Sequence, residues 1–194
     1  MGLKLITAPT QLPVTLDELK RHLRIFHGDE NDTLLSNLEA AVAYLDGYKG
    51  VLGSCIMSQV WELAYDAFPC GPIKIPLGPL ISVDSVTYDD QNGAPNTVSS
   101  IDYYVDTYNW GGWVVPVSTF SWPTTLDAIN VVRIRFTAGY ATQALVPASL
   151  KQAIKLLAGH WNEHRESSIV ASPIFSVPKT FDTLIAPHRR VVMT

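Results

Sequence analysis

Helical and extended texture are segregated along this 194-residue chain, and that segregation most narrows the folds open to it. Apolar side chains recur at helical spacing near both ends, while residues 58–143 between them alternate in twos and are cut by proline. Residues 15–27 predict an amphipathic helix. Thr15 and Glu18 have capping-box spacing, Val14 and Leu19 have staple spacing, and Leu16, Leu19, Leu23 and Phe26 form the stripe that Gly28 closes. A second helix is expected from about Asp32 to Lys49, with Leu34, Leu38, Ala41, Val42 and Leu45 facing inward. A third is expected over 147–166, where Leu150, Ile154, Leu157 and Trp161 make a bundle-type seam of core residues.

The middle reads as strands. Trp61, Leu63 and Tyr65 alternate with Val60, Glu62 and Ala64, and residues 81–88 run toward the turn dipeptide Asn92-Gly93. Short strands are expected at Tyr103–Asp106, Trp113–Val117 and Val131–Phe136. In the last of these, Val132, Ile134 and Phe136 point one way and Arg133 and Arg135 the other. Pro69, Pro72, Pro76 and Pro79 confine the pieces between them to edges and turns. This pattern is that of an antiparallel β region without βαβ units. The fold class is therefore α+β: an antiparallel helical bundle interrupted by a β-rich insertion, with an extended C-terminal arm. The divisions are 1–57 and 144–166 for the helical body, 58–143 for the insertion and 167–194 for the arm.

That arm is broken by Pro173, Pro178 and Pro187, yet it carries Ile174, Phe175, Val177, Phe181, Leu184, Ile185, Val191 and Val192. A proline-broken segment so apolar cannot build a core of its own and must bury itself elsewhere. Either it packs back on its own subunit or it docks on a partner. Phe175, Phe181, Leu184, Ile185, Arg189 and Arg190 are its candidate partner contacts. If docking on a partner is its role, cutting after Ser168 should leave a folded subunit that no longer joins that partner.

Composition excludes several classes. A formal charge of −4 is a poor footprint for a sequence-independent DNA binder. No apolar run approaches the roughly 20 residues of a membrane span, and the N-terminus has neither a secretory pattern nor, with Ile6, a myristoylation signal. Cys55 and Cys70 form no CxxC pair or disulfide framework, so a reducing cytoplasm is expected. Phosphate-binding glycine loops and the G-x-S-x-G elbow are missing from the sequence.

Three motifs invite chemistry. His160-Trp161-Asn162-Glu163-His164 fits H-x-x-E-H, with two imidazoles one helical turn apart and Glu163 as base, the pattern of a zinc hydrolase. A third zinc ligand is not evident, and Leu157 and Trp161 claim the adjoining buried face. Asp89-Asp90-Gln91-Asn92-Gly93 hints at a calcium loop, but Ser100 stands where the bidentate glutamate belongs. Trp110-Gly111-Gly112-Trp113 with Tyr103, Tyr104 and Tyr108 suggests a carbohydrate-stacking platform, or else core and interface. No cofactor or metal is expected, and none of these motifs requires an enzyme.

Several segments in order resemble the head–tail connector (adaptor) proteins of long-tailed bacteriophages and gene-transfer agents. They are residues 13–24 with the acidic Asp29-Glu30-Asn31-Asp32, then Gln59–Leu63, Phe68-Pro69 and Ile75–Val83. Phe136–Tyr140 ahead of Val146–Ile154, Gly159–Glu166, and finally Leu184–Arg190 complete the series. At His164 the family tends to carry another residue, so the zinc-like pattern is a departure from it. The resemblance implies a virion protein of the neck, made in the host cytoplasm and assembled as a homo-oligomeric ring of twelve copies. Such a ring sits beneath the portal protein, meets a stopper or tail-completion protein, and passes DNA without binding it specifically. The family's C-terminal segment is expected to reach into the portal.

Overall fold

Trp61 stands opposite Phe136, and Leu63 opposite Ile134, on adjacent antiparallel strands, and all four side chains are buried. A computed structural model describes residues 1–164 and 179–190, and the chain divides into two compact units. One comprises Met1–Thr10 and Ser58–Ala141, the other Gln11–Met57 and Thr142–Thr194. The α+β class holds, with every strand pairing antiparallel.

The first unit contains β1 (Gly2–Thr7), β2 (Gln59–Tyr65), β3 (Ile73–Lys74), β4 (Leu80–Asp89), β5 (Pro95–Thr97), β6 (Tyr103–Asp106), β7 (Trp113–Pro116) and β8 (Val132–Ala138). Five form a sheet in the order β1-β2-β8-β4-β5, and three form a second in the order β3-β7-β6. The period-two reading is realised on β8, where Val132, Ile134 and Phe136 are buried while Arg133 and Arg135 form ion pairs. The Arg135 guanidinium donates to Glu62 at 2.9 Å across the strand pair, and that of Arg133 donates to Asp89 at 2.6 Å. Such cross-strand pairs fix register more than they stabilise, because a one-residue slip would bury both arginines.

Strand β1 is a correction. Residues 1–10, expected in the helical body, instead add an edge strand to the sheet, with Leu3 opposite Leu63 and Leu5 opposite Trp61. Its signal was the alternation Leu3-Lys4-Leu5, too short to stand out from a loop.

The second unit contains α1 (Leu16–Leu23), α2 (Asn31–Leu45), α3 (Ala148–Glu163) and α4 (Lys179–Ile185). The capping box forms as its spacing required: the Glu18 amide donates to Thr15 Oγ1 at 3.1 Å, and the Thr15 amide donates to Glu18 Oε2 at 2.9 Å. Helix α1 stops sooner than expected, because Arg24 adopts the left-handed conformation at φ 59°. Phe26 thereby leaves the helical stripe and is 85% exposed. Helix α2 ends at Leu45 rather than near Lys49. The Asp46 carboxylate then accepts the Ile56 amide at 2.6 Å, folding the following loop back so that Leu52, Cys55, Ile56 and Met57 are buried.

Leu150, Ile154 and Leu157 of α3 are core as the seam required, together with Ala153 and Ala158. Trp161 is only half-buried and meets Tyr44 edge-on with ring centroids 6.2 Å apart. Helix α1 crosses α3 so closely at Gly159 that a Cβ there would press into the Leu23 side chain.

The arm is not extended throughout. Helix α4 and a 3-10 turn at Ala186–His188 occupy its described part. The physical reason lies in the proline positions: Pro178 and Pro187 bracket residues 179–185 and so remove no hydrogen bond from within that helix.

Candidate functional site

Phe181 and Ile185 lie one helical turn apart on α4, and both are 3% exposed. They spend their apolar surface on their own subunit. Beyond them the Arg190 amide donates to the Leu52 carbonyl at 2.7 Å, and Ser149 Oγ lies 2.7 Å from His188 Nε2. Leu184 is half-buried, while Arg189 and Arg190 are exposed. Phe175, Ile174 and Val177, and the end of the arm at Val191 and Val192, lie outside the described residues. Of the six candidate partner contacts, then, two are packed inside, three are at the surface, and Phe175 is not described.

Electrostatics at this seam favour a neutral histidine. Burial, and next the Arg190 guanidinium, hold the His188 imidazole below the usual histidine range. Ser149 also belongs to the first turn of α3, whose amide dipoles disfavour a cation. His22 is lowered likewise, by burial and then by Lys155. Glu18 is held below the usual carboxylate range chiefly by the Thr15 amide.

Of the H-x-x-E-H motif, His160 to Glu163 lie on α3, while His164 is its C-cap with non-helical backbone, so the helix ends before the expected residue 166. The His160 and His164 rings stand edge to face with centroids 4.7 Å apart, but Glu163 is exposed. Among the described residues no three His, Cys, Asp or Glu side chains come together as a metal-holding group. A catalytic zinc needs three protein ligands, so the described residues assemble no such centre.

The aromatic platform is divided: Tyr104 and Tyr108 are exposed, while the Trp110 loop is packed. Trp110 is half-buried and meets Tyr140 edge-on at 6.4 Å. A Cβ at Gly111 would collide with the Ile75 carbonyl, so this loop is pressed against its neighbour rather than open to a sugar. Asp90 of the suspected calcium loop is committed to its turn: its Oδ1 accepts the Asn92 and Ala94 amides, both at 2.9 Å. A cleft of about 720 Å³ opens between Asp66–Gly71 and Phe120–Asp127. Its aromatics are engaged with one another, Phe68 stacking on Trp122 at 4.8 Å, and the Trp122 indole donates to the Gly71 carbonyl at 2.8 Å.

Several large apolar side chains remain exposed. Phe26, Leu35 and Tyr44 lie on the helical unit, and Leu5, Ile6, Tyr104 and Tyr108 on the β unit, with Tyr108 fully exposed. The sequence reading misses Phe26 and β1 as surface features, since it places Phe26 on the apolar stripe of the first helix and residues 1–10 in the helical body.

No protein-family model matches the sequence, and no curated protein does. Solved structures do. A chain in the neck of an empty gene transfer agent (GTA) particle, computed with C6 symmetry, matches with a TM-score of 0.78 and 25% identity over 100% of this chain and 98% of its own. The virion of the native GTA particle gives the same figures. The neck of the native particle computed with C12 symmetry matches at a TM-score of 0.73 and 24% identity, again over 100% and 98%. The likeness spans both units and agrees with the resemblance to head–tail connectors carried by the sequence motifs. No helix among the described residues is long and apolar enough to cross a membrane.

Proposed function

We propose that this chain is a structural neck protein of a phage-like particle, a head–tail connector that works by assembly and not by catalysis. The observation that carries the reading is the whole-chain likeness to neck chains of a GTA particle, in which both the helical unit and the β insertion find counterparts. Exposed aromatic and aliphatic side chains on both units suit a subunit whose surface is covered by neighbours. In this reading identical copies close a ring of twelve by head-to-tail contacts. The portal protein lies on one side and a stopper or tail-completion protein on the other, and DNA passes through without base recognition. Leu184, Arg189 and Arg190, together with Phe175, are the contacts assigned to the portal or to a neighbouring subunit.

Removal of the gene from the producing genome tests this directly. Filled heads and free tails that fail to join are expected, with joining restored when the gene is supplied in trans. Normally joined particles in its absence would end the proposal.

A further inference from the structure

Resting on that reading, a specific contact between copies follows from how the β unit treats its strand edges. An unpaired edge invites another strand, and folds usually blunt it with proline, shortness or charge. Two of the four edges here are blunted. Strand β5 has three residues and begins at Pro95. Strand β3 has two residues, with Pro72 and Pro76 close on either side. The other two edges are open: β1 runs six residues and β6 four, neither containing proline. Each is the outermost strand of its sheet, so every second residue turns its amide and carbonyl away from the partner it has.

The two open edges differ in charge as a mating pair should. Lys4 is the one charged residue of β1, while β6 is preceded by Asp102 and ends on Asp106. On the same sheet Arg133 and Arg135 are paired with Asp89 and Glu62, and Lys4 stands opposite that same Glu62, which it shares with Arg135. Both edges also present apolar surface, Leu5 and Ile6 on β1 and Tyr104 on β6. A closed ring requires two different surfaces on each subunit, each matched to the other. We infer that β1 of one copy pairs with β6 of the next, joining successive β units by backbone hydrogen bonds, with Lys4 beside the neighbour's acidic strand ends.

Hydrogen exchange, read residue by residue on the free subunit and on assembled necks isolated from particles, tests the inference. In the free subunit alternate amides of β1 and β6 should exchange quickly. In the neck those same amides should slow by about 100-fold or more, as backbone bonds buried in an interface do. Necks in which neither strand gains protection, or in which β1 alone does, overturn the pairing while leaving the connector reading intact. Particles whose necks do not contain this chain overturn both.

Discussion

Ser149 Oγ and His188 Nε2, 2.7 Å apart, join the first turn of α3 to the turn that follows α4. This hydrogen bond and the buried pair Phe181 and Ile185 hold the C-terminal segment to its own helical unit. The sequence leaves open whether this segment packs on its own subunit or docks on a partner; it contributes to the subunit's stability, and experiment can separate that role from docking.

The first separation is by pH. His188 and His22 are both held below the ordinary histidine value, so the folded state favours their neutral forms. The unfolded chain protonates first as pH falls, so the stability contribution is complete above about pH 6.5 and is lost as pH drops through the folded-state values. Thermal melts from pH 7.5 to 5 should show a falling midpoint, and His188→Asn should flatten that fall. An unchanged slope in the variant would remove His188 from the account. Ser149→Ala should cost about 1 kcal/mol at neutral pH.

Truncation gives the second. Cutting after Ser168 was expected to leave a folded subunit, but it removes Phe181, Ile185 and the amide that reaches the Leu52 carbonyl. Phe181→Ala alone should cost about 3 kcal/mol or more, the usual penalty for emptying a buried aromatic site. Denaturant unfolding of the variant and of the truncated chain should show the loss. Wild-type stability in the truncated chain would mean that the segment does not stabilise the unit in solution.

How much of this was legible in advance depended on range. The capping box at Thr15 and Glu18 and the alternation on β8 are local patterns, and both appeared as read. The left-handed Arg24 carries no such signal, because glycine or asparagine usually announces that conformation. The buried loop at Leu52–Met57 depends on Asp46 reaching the Ile56 amide ten residues on, and β1 depends on a strand more than fifty residues away. Placement of Phe181 and Ile185 was ambiguous for the same reason: an apolar pair one turn apart fits its own core and a partner's groove equally well.

Thr15→Ala should destabilise the helical unit by about 1 kcal/mol, the ordinary cost of losing an N-cap. Glu18→Gln should cost less, because an amide oxygen can still accept the Thr15 amide, but it should lose part of its pH dependence. Glu18 is depressed, so its contribution is present above the usual glutamate range and disappears as pH falls below it. Acid-range melts of the two variants distinguish lost hydrogen bonding from lost charge.

Zinc should leave this protein's stability unchanged. His160 and His164 supply two imidazoles, and among the described residues no third ligand completes the site. Melts with and without added zinc, and with chelator, should superimpose, and Glu163→Gln should match wild type. A zinc-dependent rise abolished by His160→Ala would reopen the hydrolase reading.

The last prediction turns on what α4 leaves outside. Arg189 and Arg190 are exposed and Leu184 is half-buried, so reversing the two charges should cost the fold within about 0.5 kcal/mol, as surface changes usually do. If these side chains meet a portal or a neighbouring copy, Arg189→Glu with Arg190→Glu places repulsion in a matched interface and should slow association. The expected outcome is a subunit with wild-type melting that joins heads poorly, most severely at low salt. Normal joining by a variant carrying both reversals and Leu184→Asp would confine the segment's role to holding its own subunit together.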